Sequence, residues 1–154
     1  MVVLAAVAQG VWAPRLQIGV ALPDFPLLVL ACLALLTNPN TAAWAGFLTG
    51  LLHASMLEQT VGSFIVSRVL AATLTAYLPL VVSNRHWLSA LLAAAVLPLL
   101  SHTFYYLAAP NFGSSTYWQA VLGSIVYNMV LAIPAYWLVR RIMPPASEDD
   151  LWNN

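Results

Sequence analysis

Lysine is absent from this chain, and charged residues of any kind make up only 6% of it. A soluble domain carries about a quarter of its residues charged, so a water-facing surface cannot be built from this composition. Nucleic acid is excluded as a partner, because phosphate binding needs clustered Lys and Arg and the formal net charge is zero. The lone Cys32 excludes an internal disulfide and a cysteine metal cluster. Within its apolar run it reads as a small core hydrophobe. His53, His86 and His102 lack the i, i+4 spacing of metal ligands, and no cofactor is expected.

What is present is apolar: 62% of the 154 residues are hydrophobic. The expected fold class is all-α, a polytopic membrane protein of about six transmembrane helices in one domain, residues 1–143, followed by a short acidic cytoplasmic tail, 144–154. A secreted domain behind a cleaved signal peptide is not expected, since VVLAAVA follows Met1 with no basic leader and apolar character persists to Leu138.

Polar and Pro-rich punctuation divides the chain. Span one, residues 2–22, is interrupted by Gln9-Gly10 and again by Pro14, Arg15 and Gln17, which makes it one kinked helix, a partly interfacial segment or two short pieces. Leu22-Pro23-Asp24-Phe25-Pro26 ends it with an extended turn. Span two, 27–36, is short for a crossing of about 20 residues. Thr37-Asn38-Pro39-Asn40 is a turn, with Asn40 or Thr41 as the expected cap of span three, 41–57. Span four covers 61–82, span five 87–108 with a kink at Pro98, and span six 117–142. Cytoplasmic loops retain positive charge. Six spans with both termini inside place Arg85, Arg140 and Arg141 in the cytoplasm against Arg15 outside. No inverted repeat of the transporter kind is visible.

The stretch 41–77 organises the rest. Residues four apart share a helix face, so Ala42, Gly46, Gly50 and Ala54 form one stripe without bulk, and Ser63, Ser67, Ala71 and Thr75 form another. Helices inside a bilayer gain by close backbone approach, which small residues permit. A tightly packed pair is expected, with Gly46, Gly50, Ser67 and Ala71 as its packing residues and Arg68 inside it.

Seven residues into its span, Arg68 lies about 10 Å deep at ~1.5 Å per residue. Its side chain can snorkel to the interface, join a buried structural pair, or meet a ligand or partner. Glu58, in the polar hinge, is a solvated loop acid or its partner. His53 reads as a packing histidine, Asn128 as an interhelical hydrogen-bonding amide with Tyr127 beside it, and Asp24 as a turn former or an outward contact. These six are the candidate polar-core or partner residues. Ser101-His102 has no orienting acid nearby, so no nucleophile is assembled and no enzyme is expected. A small-solute binding subunit of a transporter remains the alternative, with a pocket lined by Arg68, Asn128, Tyr127 and His53.

The order of features resembles the rod-shape-determining MreD family. It comprises the broken first span, Pro23-Asp24 opening the second, Gly46 and Gly50-Leu51-Leu52 in the third, Gly62 after the hinge, Arg68 on a small-residue helix, and Tyr127-Asn128 in the last span. One position departs: His53-Ala54 stand after Gly50-Leu51-Leu52, where the family often shows an acid. The resemblance implies a non-catalytic scaffold or regulatory subunit of bacterial cell-wall elongation in the inner membrane. It would partner a single-span MreC-like protein and act alongside an MreB-like filament, a glycosyltransferase and a class-B transpeptidase of peptidoglycan synthesis. It also implies a helical fold related to the six-span substrate-binding subunits of vitamin transporters.

Overall fold

A computed structural model describes residues 1–57, 61–82, 86–108 and 115–143. Among these the architecture is all-helical: α1 (Val2–Val11), α2 (Phe25–Leu36), α3 (Pro39–Leu57), α4 (Val61–Thr75), α5 (Trp87–Ala108) and α6 (Ser115–Ile142), with short 3-10 turns at Ala13–Leu16 and Leu78–Leu80. Three segments are long and apolar enough to cross a membrane, Val61–Leu80, Trp87–Ala108 and Tyr117–Ile142. Six crossings are therefore not what length and composition give. The reason lies in the first two helices: α1 has 10 residues and α2 has 12, about 15 and 18 Å at ~1.5 Å per residue. The 19-residue α3 has the length but not the apolarity.

α2 is the axis of the bundle. FPLLVLACLALL offers no polar side at all, so other helices can pack around it without burying a polar group. All but two of its residues, Phe25 and Val29, are buried. Alanines close in around it: Ala42 from α3, Ala71 and Ala72 from α4, Ala90, Ala93 and Ala94 from α5, and Ala132 with Tyr136 and Val139 from α6. Cys32 is buried in this core.

The caps explain the boundaries. α2 begins at Asp24, whose carboxylate accepts the Leu27 N–H at 3.0 Å. α3 starts two residues earlier than 41, because Pro39 fits a first helical turn and the Asn38 side chain accepts the Thr41 N–H at 2.8 Å; Asn38, rather than Asn40 or Thr41, is the capping residue. α4 stops at Thr75 instead of running to 82, and the chain tightens into the turn that contains Pro79, which lacks an N–H to continue the helix. α5 runs through Pro98, which is buried.

Gln9 of α1 and Asn128 of α6 both reach the start of α2, and beyond them Met1 and Ile142 line one groove, so the start of α1 and the end of α6 lie at the same end of the bundle. Glu58, Arg85, residues 109–114 and the acidic tail 144–154 fall outside the described residues.

Candidate functional site

Two polar constructions sit inside this apolar bundle. The first lies where α3 meets α4. A Cβ added to Gly46 would stand 2.7 Å from the Arg68 carbonyl oxygen and 3.0 Å from the Val69 Cα; one added to Gly50 would stand 2.7 Å from the Ile65 Cα. The partners run backward along α4 as the glycines run forward along α3, so the helices are antiparallel and touch backbone to backbone. Ala42, Gly46, Gly50 and Ala54 are all buried, as are Ser67 and Ala71 on α4. Gly62 meets nothing within 4 Å.

This close approach encloses Arg68, which is 2% exposed. Its guanidinium does not snorkel. Nη2 donates to His53 Nδ1 at 2.9 Å, and since a guanidinium cannot accept a hydrogen bond, Nδ1 is the bare nitrogen and the ring proton sits on Nε2. Cζ lies 4.2 Å from the Phe64 ring centroid, within reach of the ring's negative face. Phe64 in turn packs on Tyr105 of α5, centroids 4.5 Å apart. The buried Nε of Arg68 and the buried Ser101 Oγ have no hydrogen-bond partner among the described residues.

The second construction lies where α1 breaks and α2 begins. Irregular backbone at membrane depth must find its hydrogen bonds inside the protein, and here two carboxamides supply them. Gln9 donates from Nε2 to the Pro23 carbonyl at 3.1 Å and accepts the Phe25 N–H at 2.9 Å. Asn128, near the middle of the 28-residue α6, accepts the Asp24 N–H at 3.0 Å and donates to the Asp24 carbonyl at 3.2 Å. The preceding loop closes on itself, Ile18 and Ala21 exchanging two backbone hydrogen bonds of 3.0 Å. Its Ala21 lies against Gly123 of α6, where an added Cβ would meet the Ala21 Cβ at 2.7 Å.

The two constructions face each other electrostatically. Asp24 interacts at a distance with Arg68, His53 and His102. His102 shares a 3.1 Å hydrogen bond with Tyr117, and beside them Gln9, Asp24, Ala120 and Ser124 border a cleft of about 190 Å³.

Of the residues singled out in the sequence, Asp24, His53, Arg68 and Asn128 thus lie in one polar region. Tyr127, one residue from Asn128 and about 100° round the helix, is half-buried and makes no hydrogen bond among the described residues. Glu58 lies outside them. Gln9, Phe64, His102, Tyr105 and Tyr117 also belong to the region and were not singled out for it. Gln9 had a visible signal: like Asn128, it is a carboxamide inside an apolar run, yet it reads as an interruption. No group of three or more His, Cys, Asp or Glu gathers among the described residues to hold a metal. No family model matches the chain, and no curated protein or solved structure matches it.

Proposed function

We propose that this protein is a non-catalytic membrane scaffold of the MreD type, a subunit of the bacterial cell-wall elongation complex in the inner membrane, with both termini in the cytoplasm. The observation that carries the reading is the use to which the interior polar groups are put. Gln9 and Asn128 hold backbone, Asp24 caps a helix, and His53 holds Arg68. His53 stands where the family pattern often carries an acid, so the polar contact to the Arg of the small-residue helix is made here by a neutral ring.

The same arrangement weighs against a solute-binding transporter subunit. The cleft beside Asp24 encloses about 190 Å³, below the ~300–1,000 Å³ usual for a small-molecule site. On its border Gln9 and Asp24 are engaged with backbone, and His102 with Tyr117. A scaffold works through its outer faces instead, and α3 and α4 present Trp44, Leu48, Leu51, Val66, Leu70 and Leu74 outward.

Affinity purification from the native membrane tests the reading. The expected result is copurification of a single-span protein with a large domain outside the cytoplasm, together with peptidoglycan synthases. Recovery with a cytoplasmic ATPase, and without any single-span partner, overturns it.

A further inference from the structure

A groove of about 430 Å³ runs down the outside of the bundle, with α2 as its floor and α1 and α6 as its walls. It is lined from α1 by Leu4, Ala5 and Ala8, from the floor by Phe25 and Leu28, and from α6 by residues between Leu131 and Ile142. Those eleven residue steps along α6 cover about 16 Å at ~1.5 Å per residue. Half of a hydrocarbon core of about 30 Å is ~15 Å. The groove is therefore as long as one leaflet is thick. It ends beside the point where Gln9 clasps Pro23 and Phe25.

A transmembrane helix would need a seat running the full bilayer depth. This seat stops halfway, because α1 and α2 are half-length helices. An acyl chain has the required length and chemistry.

The open end supplies the second half of a ligand site. Arg141 lies on the α6 stripe of Pro134 and Leu138, seven and three residues on, where helical spacing keeps them on one face. With Trp137 and Leu138 it borders a second cleft, so Leu138 belongs to both. Arg140 is engaged with Tyr136, through a 3.3 Å hydrogen bond to its hydroxyl. Arg141 is exposed and has no protein partner among the described residues. Trp137, 66% exposed, is the kind of ring that settles at the headgroup level. A phosphate bound to a chain lying in the groove would meet a guanidinium, which binds phosphate through paired donors.

We propose that this groove is a binding site for an anionic phospholipid of the leaflet at the Arg141 end, one acyl chain lying on α2 between α1 and α6 and the headgroup phosphate meeting Arg141. The site is independent of the scaffold reading, since it rests on the groove and Arg141 alone.

Native mass spectrometry of the delipidated full-length protein, titrated with phosphatidylglycerol or with phosphatidylcholine of identical chains, tests it. The wild type should prefer phosphatidylglycerol by about fivefold, the contribution of one Arg near a membrane surface. R141Q should bring the two lipids level without abolishing either. A135F, which puts a ring into the groove, should weaken both alike. Equal binding of the two lipids to the wild type overturns the proposal, as does an R141Q variant that keeps the preference. Because Arg141 is exposed, that arm reads even if A135F folds poorly. A photocrosslinker at Leu138 should capture lipid; capture of a protein segment instead overturns the proposal in favour of a docked polypeptide.

Discussion

Gly46 and Gly50 let α3 lie on the backbone of α4, whereas Gln9 and Asn128 hold a backbone that has left the helix altogether. Both regions place peptide groups in apolar surroundings where water cannot serve them. In the α3–α4 pair every turn satisfies itself, and the absence of side chains is what matters. In the α1–α2 break the Pro23 carbonyl and the Asp24 and Phe25 N–H groups are held by side chains far away in sequence, Gln9 and Asn128. The first region is sensitive to added volume. The second is sensitive to lost hydrogen bonds.

The largest test of that difference is Gly50→Leu. Even the first carbon of a side chain would meet α4 backbone at 2.7 Å, and backbone cannot yield as a flexible side-chain end can. The expected loss is about 3 kcal/mol or more, seen as a clear fall in thermal stability in detergent, while Gly62→Ala, in open space, should leave stability within about 0.5 kcal/mol or raise it. Equal behaviour of the two variants would mean that α3 and α4 do not touch at Gly50.

Arg68→Ala comes next, at about 2–3 kcal/mol. It leaves a cavity between Phe64 and His53 and deprives the His53 Nδ1 acceptor of its donor. Arg15→Ala, on an exposed side chain, should stay within about 0.5 kcal/mol. If the two variants were alike in thermal stability and in partner recovery, Arg68 would be without structural weight.

The amide clasp should respond in the opposite manner, to polarity rather than size. Asn128→Leu conserves volume closely yet strands the buried Asp24 N–H, while the Asp24 carbonyl keeps the Leu28 N–H, at a cost of about 2 kcal/mol. Gln9→Leu removes bonds that are only partly buried, and about 1 kcal/mol is expected. Hydrogen exchange at the start of α2 should quicken in both. A drop confined to α3 and α4 would contradict the assignment of these bonds.

What the sequence reveals follows the same division. The small-residue stripes of 41–77 are legible because helix contact between sequence neighbours repeats every four residues, and one period exposes both faces. The Pro23-Asp24-Phe25-Pro26 turn is legible from its prolines. The centrality of α2 is harder to see: a short, wholly apolar run is at once a poor membrane span and an ideal bundle axis, and the second meaning needs the other helices in place. Asn128 can be recognised as an amide in want of partners, but its partner lies 104 residues away. The His102–Tyr117 bond joins α5 to α6, and no spacing rule links their ends. His53 and Arg68 are 15 residues apart on antiparallel helices; the stripes bring their helices together, yet only the register set by Gly46 and Gly50 decides that these two side chains meet.

The finest test concerns how narrow the amide clasp is. Tyr127 and Asn128 are adjacent in sequence, and a patch of polar residues would engage both. A helix turns about 100° per residue, however, so only one of two neighbours can face Asp24, and the burial difference shows which: Asn128 is 0% exposed, whereas Tyr127 is half-buried with no hydrogen bond among the described residues. Tyr127→Phe should therefore change thermal stability by less than about 0.5 kcal/mol and leave exchange at the start of α2 untouched, against the marked effect of Asn128→Leu one position on. A comparable loss from both would widen the clasp into a patch and make the phenol a contributor to the hold on Asp24.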